Sequence, residues 1–197
     1  NTGQSSSTVT VPTTVATQAE ATVYQVRIPP SFNNALTLRY EGQINDLAEQ
    51  GSAEYAQSFA ETSGIISSEG VFLSRASLWV PLIDADMLTF DMQVGFAASA
   101  SSWTAVSQGI DAAGSSVNAT NNWRMERPTE EIYLIAADFE VYEQAAGDVT
   151  AQAFLRTPDS NLATRYLDAT ARYLALYEPL LGEYPYEKFA LVENFWE

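Results

Sequence analysis

Two hydrophobic periods divide this chain into two parts. Between residues 21 and 157, apolar side chains recur at every second position in short runs, and the clearest run extends from Leu88 to Val94. This alternation predicts half-buried β-strands separated by turns. The other predicted strands cover residues 24–28, 36–40, 71–73, 77–80, 103–107, 123–125, 131–136, 139–142 and 149–155. So many short strands predict a mainly β domain over residues 21–157, built as a sandwich or a saddle-shaped sheet.

A helical period replaces the alternation after Pro158. Apolar residues then recur every three or four positions from Leu162 to Leu180, which predicts one helix across residues 161–181. Asp159 or Ser160 can cap its first turn. We therefore expect a second structural unit to begin here, over residues 158–197.

Two features of this helix lead to separate predictions. Tyr166, Tyr173 and Tyr177 lie on one face, and we expect them to pack into the core with their hydroxyl groups at its rim. The alternative is an aromatic groove for a sugar or a peptide. Asp168 and Arg172 lie one turn apart, in the order that favours an ion pair on a helix surface.

Two further segments depart from the β pattern. Residues 1–20 are rich in Ser and Thr, which predicts a linker or arm, although Val9 and Val11 alternate and also fit an edge strand. The stretch from Gln43 to Glu61 lacks alternation and is rich in Ala, so it predicts a short helix inserted between strands.

The composition excludes most catalytic chemistry within these residues. The chain has 0 His and Cys 0. A Ser-His-Asp triad, a Cys-His pair, a histidine-ligated zinc and a cysteine-ligated cluster therefore all lack a necessary residue. Only carboxylate chemistry and oxygen-ligand metal sites are available. The fold also has no disulfides and must depend on its core.

The charge balance excludes other partners. The formal net charge is -16, and Lys188 is the one lysine. Such a surface repels phosphate backbones, so we expect no nucleic-acid partner. No apolar run reaches the roughly 20 residues of a membrane helix.

We expect an extracellular or periplasmic protein, a setting that an acidic surface suits. Because the chain begins with Asn1 rather than Met, we also expect a processed product, a fragment, or the resolved part of something longer.

A few acidic and polar motifs are candidate sites, each with a simpler explanation. Acidic pairs are available as half of a calcium loop or as a general acid and base, but solvated loop or strand faces explain them better. The Asn-x-Thr pattern at Asn118 is a glycosylation motif that arises often by chance. The acidic pairs are Asp84 with Asp86, Glu130 with Glu131, and Glu193 with Glu197.

The end of the chain carries the most specific pattern. Residues 182–193 read GEYPYEKFALVE and directly follow the predicted helix. This arrangement resembles the segment that opens the catalytic domain in the aminopeptidase N and leukotriene hydrolase family of zinc metallopeptidases (gluzincins). Residues 36–42, and residues 77–81 with 88–94, resemble parts of the N-terminal β domain of that family.

The resemblance implies a saddle-like β domain that packs beside a thermolysin-like helical domain and forms one wall of the substrate cleft. In that family an H-E-x-x-H helix and a downstream glutamate hold zinc, and a Gly-x-Met-Glu-Asn stretch binds the free amine of the peptide. None of these occurs in this chain, so it contributes no catalytic, cofactor-binding or metal residue. A further departure is WVPLIDAD at residues 79–86, where family members have Phe-Pro-Cys-x-Asp-Glu-Pro.

Two functions remain as expectations. The first is a non-catalytic N-terminal domain of a zinc aminopeptidase-like protein, with residues 158–197 as the incomplete start of the catalytic domain, a downstream catalytic domain as partner, and peptide as substrate. Whether the whole protein is an enzyme stays open at this point. The alternative is an exported structural subunit that self-assembles when its N-terminal arm adds as a strand to a neighbouring molecule.

Overall fold

A computed structural model of the protein describes residues 8–10, 35–46, 49–50, 60–81, 87–111 and 121–195. Strands dominate these residues, and α1 (Ser160–Leu181) is the one α-helix among them. Short 3₁₀ helices cover Arg75–Ser77 and Ala98–Ala100. The strands are β1 (Thr8–Thr10), β2 (Thr37–Arg39), β3 (Glu49–Gln50), β4 (Ala60–Glu61), β5 (Gly64–Ile66), β6 (Val71–Leu73), β7 (Leu88–Gln93), β8 (Thr104–Val106), β9 (Ile110–Asp111), β10 (Asn122–Thr129), β11 (Leu134–Ala137), β12 (Glu140–Ala146), β13 (Val149–Leu155) and β14 (Lys188–Val192).

Three larger sheets form the body of the molecule. Their strand orders are β7-β10-β9, β5-β6-β11-β8 and β12-β13-β14. Two further pairs, β1 with β2 and β3 with β4, lie outside them. Pairing in the larger sheets is antiparallel, except that β14 runs parallel to β13. The predicted mainly β fold with a C-terminal helix is confirmed.

The alternation of side chains along each strand stacks the sheets in layers. One core lies between the β7-β10-β9 sheet and the four-stranded sheet, and it includes the fully buried Trp123. A second core, on the other face of the four-stranded sheet, contains Phe139, Phe154 and Phe195. The third core lies between the β12-β13-β14 sheet and α1. Alternate residues of one strand therefore serve two different cores, because successive side chains point to opposite faces.

β13, α1 and β14 form a strand-helix-strand crossover. Asp159 caps α1 as one of the two expected caps, since its Oδ1 accepts a hydrogen bond from the Leu162 N–H at 2.9 Å. The helix buries a face of small and aliphatic residues against β12 and β13. A parallel neighbour requires such a crossover, because the chain must return to the end where β13 begins. The pairing of β13 with β14 crosses the predicted domain boundary near residue 158, which stays a prediction.

Most of the predicted strands are confirmed, with shifted ends. The run from Leu88 gives β7, and the prediction for residues 149–155 coincides with β13. The prediction for residues 77–80 is wrong: Ser77 ends a 3₁₀ helix and Leu78 has a φ of 54°. A residue in that left-handed conformation interrupts an extended strand. The strand predicted for residues 24–28 lies outside the described residues.

The predicted helix at residues 43–61 is wrong at both described ends. Asn45 forms an isolated bridge to Ile65, Glu49–Gln50 forms β3, and Ala60–Glu61 forms β4, which pairs with β3. Hydrogen bonding to neighbouring strands overrides the helix preference of the alanines there. Residues 51–59 lie outside the described part of the chain.

The N-terminal arm pairs within its own chain. Thr8–Thr10 runs parallel to Thr37–Arg39, with Val9 opposite Leu38. These three residues therefore form a strand, as the alternation of Val9 and Val11 allows. The rest of residues 1–20 lies outside the described residues. Within the described ranges, the single long helix, α1, is not apolar enough to cross a bilayer.

Candidate functional site

The segment that resembles the metallopeptidase pattern forms a defined structure, which we call the C-terminal junction, residues 182–195. It starts where Gly182 ends α1 with a φ of 97°, a conformation that favours glycine. Its N–H donates to the Glu178 carbonyl at 2.9 Å. The chain then turns through residues 183–187 and enters β14. The junction thus leads from the end of the helix to the edge of the sheet.

An aromatic cluster shapes the turn. The rings of Tyr184 and Tyr186 meet edge to face at 5.5 Å, and the ring of Tyr184 lies 5.9 Å from that of Phe189 in β14. Burial raises the pKa of Tyr184, and the nearby Tyr186 adds to this effect. Tyr184 and Phe189 both pack against the core under α1. The tyrosines of the sequence pattern therefore fix the path of the chain between α1 and β14.

A carboxylate and an arginine hold the far end of β14. The Glu193 N–H donates to the Phe154 carbonyl at 2.9 Å, and the Glu193 carboxylate accepts from the Arg156 N–H at 2.6 Å. The Arg156 guanidinium also forms an ion pair with Glu69 at 2.8 Å. These contacts join the C-terminal junction to the β5–β6 turn. Glu193, one member of the candidate acidic pair, is thus a hydrogen-bond acceptor for the backbone, and Glu197 lies outside the described residues.

Phe195 anchors the end of the junction in the second core. Its side chain is only 6% exposed and packs with Phe139 and Phe154. Gly70 makes room for it, because a Cβ on Gly70 would lie 2.9 Å from the Phe195 ring and 2.8 Å from the Ala136 carbonyl. The chain end is thereby held between two sheets.

Lys188 is the perturbed cation of the junction. Burial of its ammonium group lowers its pKa to about 8, while the negative charges of Asp111 and Glu187 partly oppose this effect. Asp111 is itself buried, at 3% exposure, in β9. The half-buried Lys188 therefore lies close enough to the buried Asp111 of β9 for their charges to interact, which links the C-terminal junction to the β7-β10-β9 sheet.

The other acidic candidates belong to structural networks. Glu130 is exposed, and its carbonyl accepts from the Arg75 guanidinium at 2.6 Å. The Glu131 carboxylate accepts a short hydrogen bond from the Tyr133 hydroxyl, which raises the pKa of Tyr133 to about 12. Gln108 bonds the backbone on both sides of this pair, at Glu131 and Tyr133. This arrangement stabilises the approach to β11.

The tyrosines of α1 do not pack as predicted. Tyr166 and Tyr173 are exposed at 45% and 55%, and the Tyr173 and Tyr177 rings lie 4.4 Å apart at the surface. The helix instead buries the neighbouring face, where Ala163 and Leu167 approach the sheet. Small and aliphatic residues allow this close approach to the alanines of β13, and tyrosine rings do not fit there.

The predicted Asp168–Arg172 ion pair is also absent from the described contacts. Asp168 Oδ1 instead accepts from Gln144 of β12 at 3.1 Å. The Arg172 Nε donates to the Asp168 carbonyl at 3.2 Å. The Asp168 carboxylate therefore bonds to Gln144 of the sheet beneath the helix instead of to Arg172.

The described residues contain no group of three or more acidic side chains that could hold a metal ion. Asp84, Asp86 and Asn118 lie outside the described residues, so those predictions stay untested. The residues that sequence reasoning missed are Phe195, Arg156 and Asp111. Their only sequence signal was a charged or aromatic residue at the end of a strand, a pattern too common to single them out.

Comparison with known proteins finds similarity in structure and not in sequence. No protein-family model matches the sequence, and no curated protein matches it. The structure is similar to an aminopeptidase N family protein from Idiomarina loihiensis, with a TM-score of 0.50 and 12% identity. The similarity covers 66% of this chain and 22% of that chain. At this identity it shows a shared fold, and the present chain spans about a fifth of the neighbour.

Proposed function

We propose that this chain is the non-catalytic N-terminal part of a zinc aminopeptidase-like protein and forms one wall of its peptide-substrate cleft. The observation that carries the proposal is the C-terminal junction. Residues 182–193 have the sequence pattern, and the fold similarity to an aminopeptidase N family protein is an independent observation. Together with α1 they form a helix followed by a parallel strand at a sheet edge, which is suited to continue into a further α/β layer.

The proposal assigns zinc to the continuation of the polypeptide. The present chain has no histidine, and its described residues form no acidic metal cluster. Its own contribution is the stacked β layers and the anchored junction, which hold the start of the catalytic part in a fixed position. A shared fold does not establish an enzymatic activity, because activity depends on the residues of the active site. The peptidase activity of the whole protein must therefore be measured.

The test is to purify the native protein from its source and to determine its intact mass, its sequence beyond Glu197, its zinc content and its hydrolysis of aminoacyl-coumarin amides. The proposal requires an H-E-x-x-H segment, about one zinc per chain, and activity that chelation abolishes and zinc restores. The chain of residues 1–197, assayed in parallel, should be inactive. A native protein without these ligands would refute the proposal.

The alternative is an exported subunit that assembles through its N-terminal arm. The arm strand β1 has strand-forming capacity, but it pairs with β2 of the same chain. That edge of β2 is then not available to a neighbouring molecule, which favours the first proposal. Sedimentation over a hundredfold concentration range separates the two, because arm exchange requires oligomers that dissociate on dilution.

A further inference from the structure

Two tyrosines of α1 form an exposed pair of phenols. Tyr173 and Tyr177 lie one helical turn apart, and their ring centroids are 4.4 Å apart with an interplanar angle of 40°. Aromatic pairs usually keep their centroids about 4.5–7 Å apart, so these two rings are in close contact. Tyr173 is 55% exposed and Tyr177 is 37% exposed. Each ring therefore contacts the other and is also accessible from outside the molecule.

The buried face of α1 holds the two rings in this position. Leu174, the residue next to Tyr173, is 5% exposed and belongs to the core under the helix. Because that core fixes the rotation of the helix about its axis, Tyr173 and Tyr177 stay on the outer side. No hydrogen bond joins either of their hydroxyls to another described residue. The Tyr133 hydroxyl, in contrast, donates to the Glu131 carboxylate.

The other tyrosines are less suited to react with one another. Tyr184 and Tyr186 meet edge to face at 5.5 Å, and Tyr184 is half-buried against Phe189. Burial raises the pKa of Tyr184, which disfavours loss of its phenolic proton. Tyr166 is 45% exposed, but its ring contacts no other aromatic ring of the described residues. The pair on α1 is therefore the place in the described structure where two accessible phenols lie in contact.

We propose that Tyr173 and Tyr177 are a site of oxidative modification, at which a haem peroxidase with hydrogen peroxide joins the two side chains as dityrosine. Each phenol gives up one electron and its hydroxyl proton and becomes a phenoxyl radical. The radicals then form a carbon–carbon bond between the ring carbons next to the hydroxyl-bearing carbons. The hydrogens on those two carbons move to the oxygens as protons, which restores both hydroxyls. One hydrogen peroxide takes up the two electrons and two protons and leaves as two waters. The inference is independent of the proposed function.

The composition and charge of the chain favour coupling within one molecule. A thiol would reduce a phenoxyl radical before it couples, but the chain has Cys 0. Two groups held in contact react as if their concentration were far above that of any protein solution. Two copies with a net charge of -16 also repel each other, which opposes a bond between molecules. The expected product is therefore a covalent loop across one turn of α1.

The test treats the 1–197 chain at micromolar concentration with a haem peroxidase and a limited amount of hydrogen peroxide. Cleavage after Arg172 and after Glu178 releases residues 173–178, which contain both tyrosines. This peptide should lose the mass of two hydrogen atoms and should yield dityrosine on acid hydrolysis. We expect roughly tenfold more coupling there than at any other tyrosine pair. A dominant link between Tyr184 and Tyr186, a dominant dimer, or no coupling at all overturns the proposal.

Matched variants show whether these two phenols are responsible. Tyr177→Phe removes one hydroxyl and keeps the ring beside Tyr173, whereas Tyr166→Phe removes an exposed hydroxyl of the same helix outside the pair. Tyr177→Phe should lower the dityrosine yield by roughly tenfold or more, and Tyr166→Phe should leave it unchanged. Tyr173→Phe should repeat the loss from the other side of the pair. Equal yields in the three variants overturn the proposal.

An unfolded sample separates the geometry of the helix from closeness in sequence. In concentrated urea the helix no longer holds the two rings in contact, so the preference for residues 173–178 should disappear. A preference that survives in urea would show that short sequence separation alone directs the coupling, and it would overturn the proposed site. The thermal midpoints of the phenylalanine variants should match that of the wild type, because each replaced side chain is exposed.

Discussion

At the scale of single residues, Lys188 gives the clearest pH dependence. Its pKa is about 8 in the folded chain against 10.5 ordinarily, so between these values the unfolded chain holds the proton more tightly. Stability therefore rises with pH across this window. Below pH 8 both states are protonated and the burial penalty is present in full; above 10.5 it is absent.

Between pH 7 and pH 10.5, the free energy of unfolding of the wild type should rise relative to that of Lys188→Met by on the order of 3 kcal/mol, since one pKa unit corresponds to about 1.36 kcal/mol. Urea unfolding at several pH values measures this difference. Lys188→Arg is the matched control, because arginine stays charged throughout and should run parallel to Lys188→Met. Parallel profiles for wild type and Lys188→Met would show that the lysine is not desolvated.

Gly70 gives a second residue-scale prediction. A methyl group there meets the Ala136 carbonyl and the Phe195 ring at less than 3 Å. Gly70→Ala should therefore destabilise the fold by about 1–3 kcal/mol, the usual cost of overpacking. Gly95→Ala is the control, because nothing lies within 4 Å of its added methyl group. Thermal unfolding of both variants tests the prediction, and equal midpoints would mean that Phe195 does not occupy the second core.

At the scale of elements, α1 depends on its cap. Asp159→Ala removes the acceptor for the Leu162 N–H and should lower the free energy of unfolding by about 1 kcal/mol. Asp159→Asn keeps an oxygen in that position and should cost much less. Urea unfolding compares the two variants. If Asn and Ala cost the same, the carboxylate acts through its charge on the helix dipole and not as a hydrogen-bond acceptor.

The elements also show which parts of the fold the hydrophobic periodicity of the sequence predicts. It correctly predicts the position of α1, because a 22-residue helix leaves a long repeating pattern. It assigns the wrong face to the core, because two apolar rows lie side by side: Tyr173 is 55% exposed, whereas the adjacent Leu174 is 5% exposed. β14 was not predicted as a strand, since its apolar run is continuous and shows no alternation. Helix-or-strand ambiguity is inherent in such a short run.

At the scale of the whole molecule, the net charge of -16 governs salt dependence. Only two ion pairs form among the described residues, so most carboxylates repel one another across the surface. Screening relieves this repulsion, and the Debye length falls from about 30 Å at 0.01 M to about 3 Å at 1 M salt. We therefore expect the thermal midpoint to rise steadily with NaCl over this range.

Equal ionic strengths of NaCl and KCl should act alike if screening is the cause, whereas sulfate adds a stabilisation of its own. A midpoint that does not change with NaCl would show that the acidic groups are already balanced in the folded molecule.

The sequence by itself determined the mainly β class, the place of α1 with two candidates for its cap, the absence of cysteine and histidine chemistry within these residues, and the acidic composition. These follow from composition and from repeats within a few residues, which a single chain records locally. Only the tertiary structure decided that β14 pairs parallel to β13, that Phe195 fills a core beside Gly70, and that the tyrosines of α1 stay exposed. Each of these depends on which distant segments meet, and no local pattern specifies that choice.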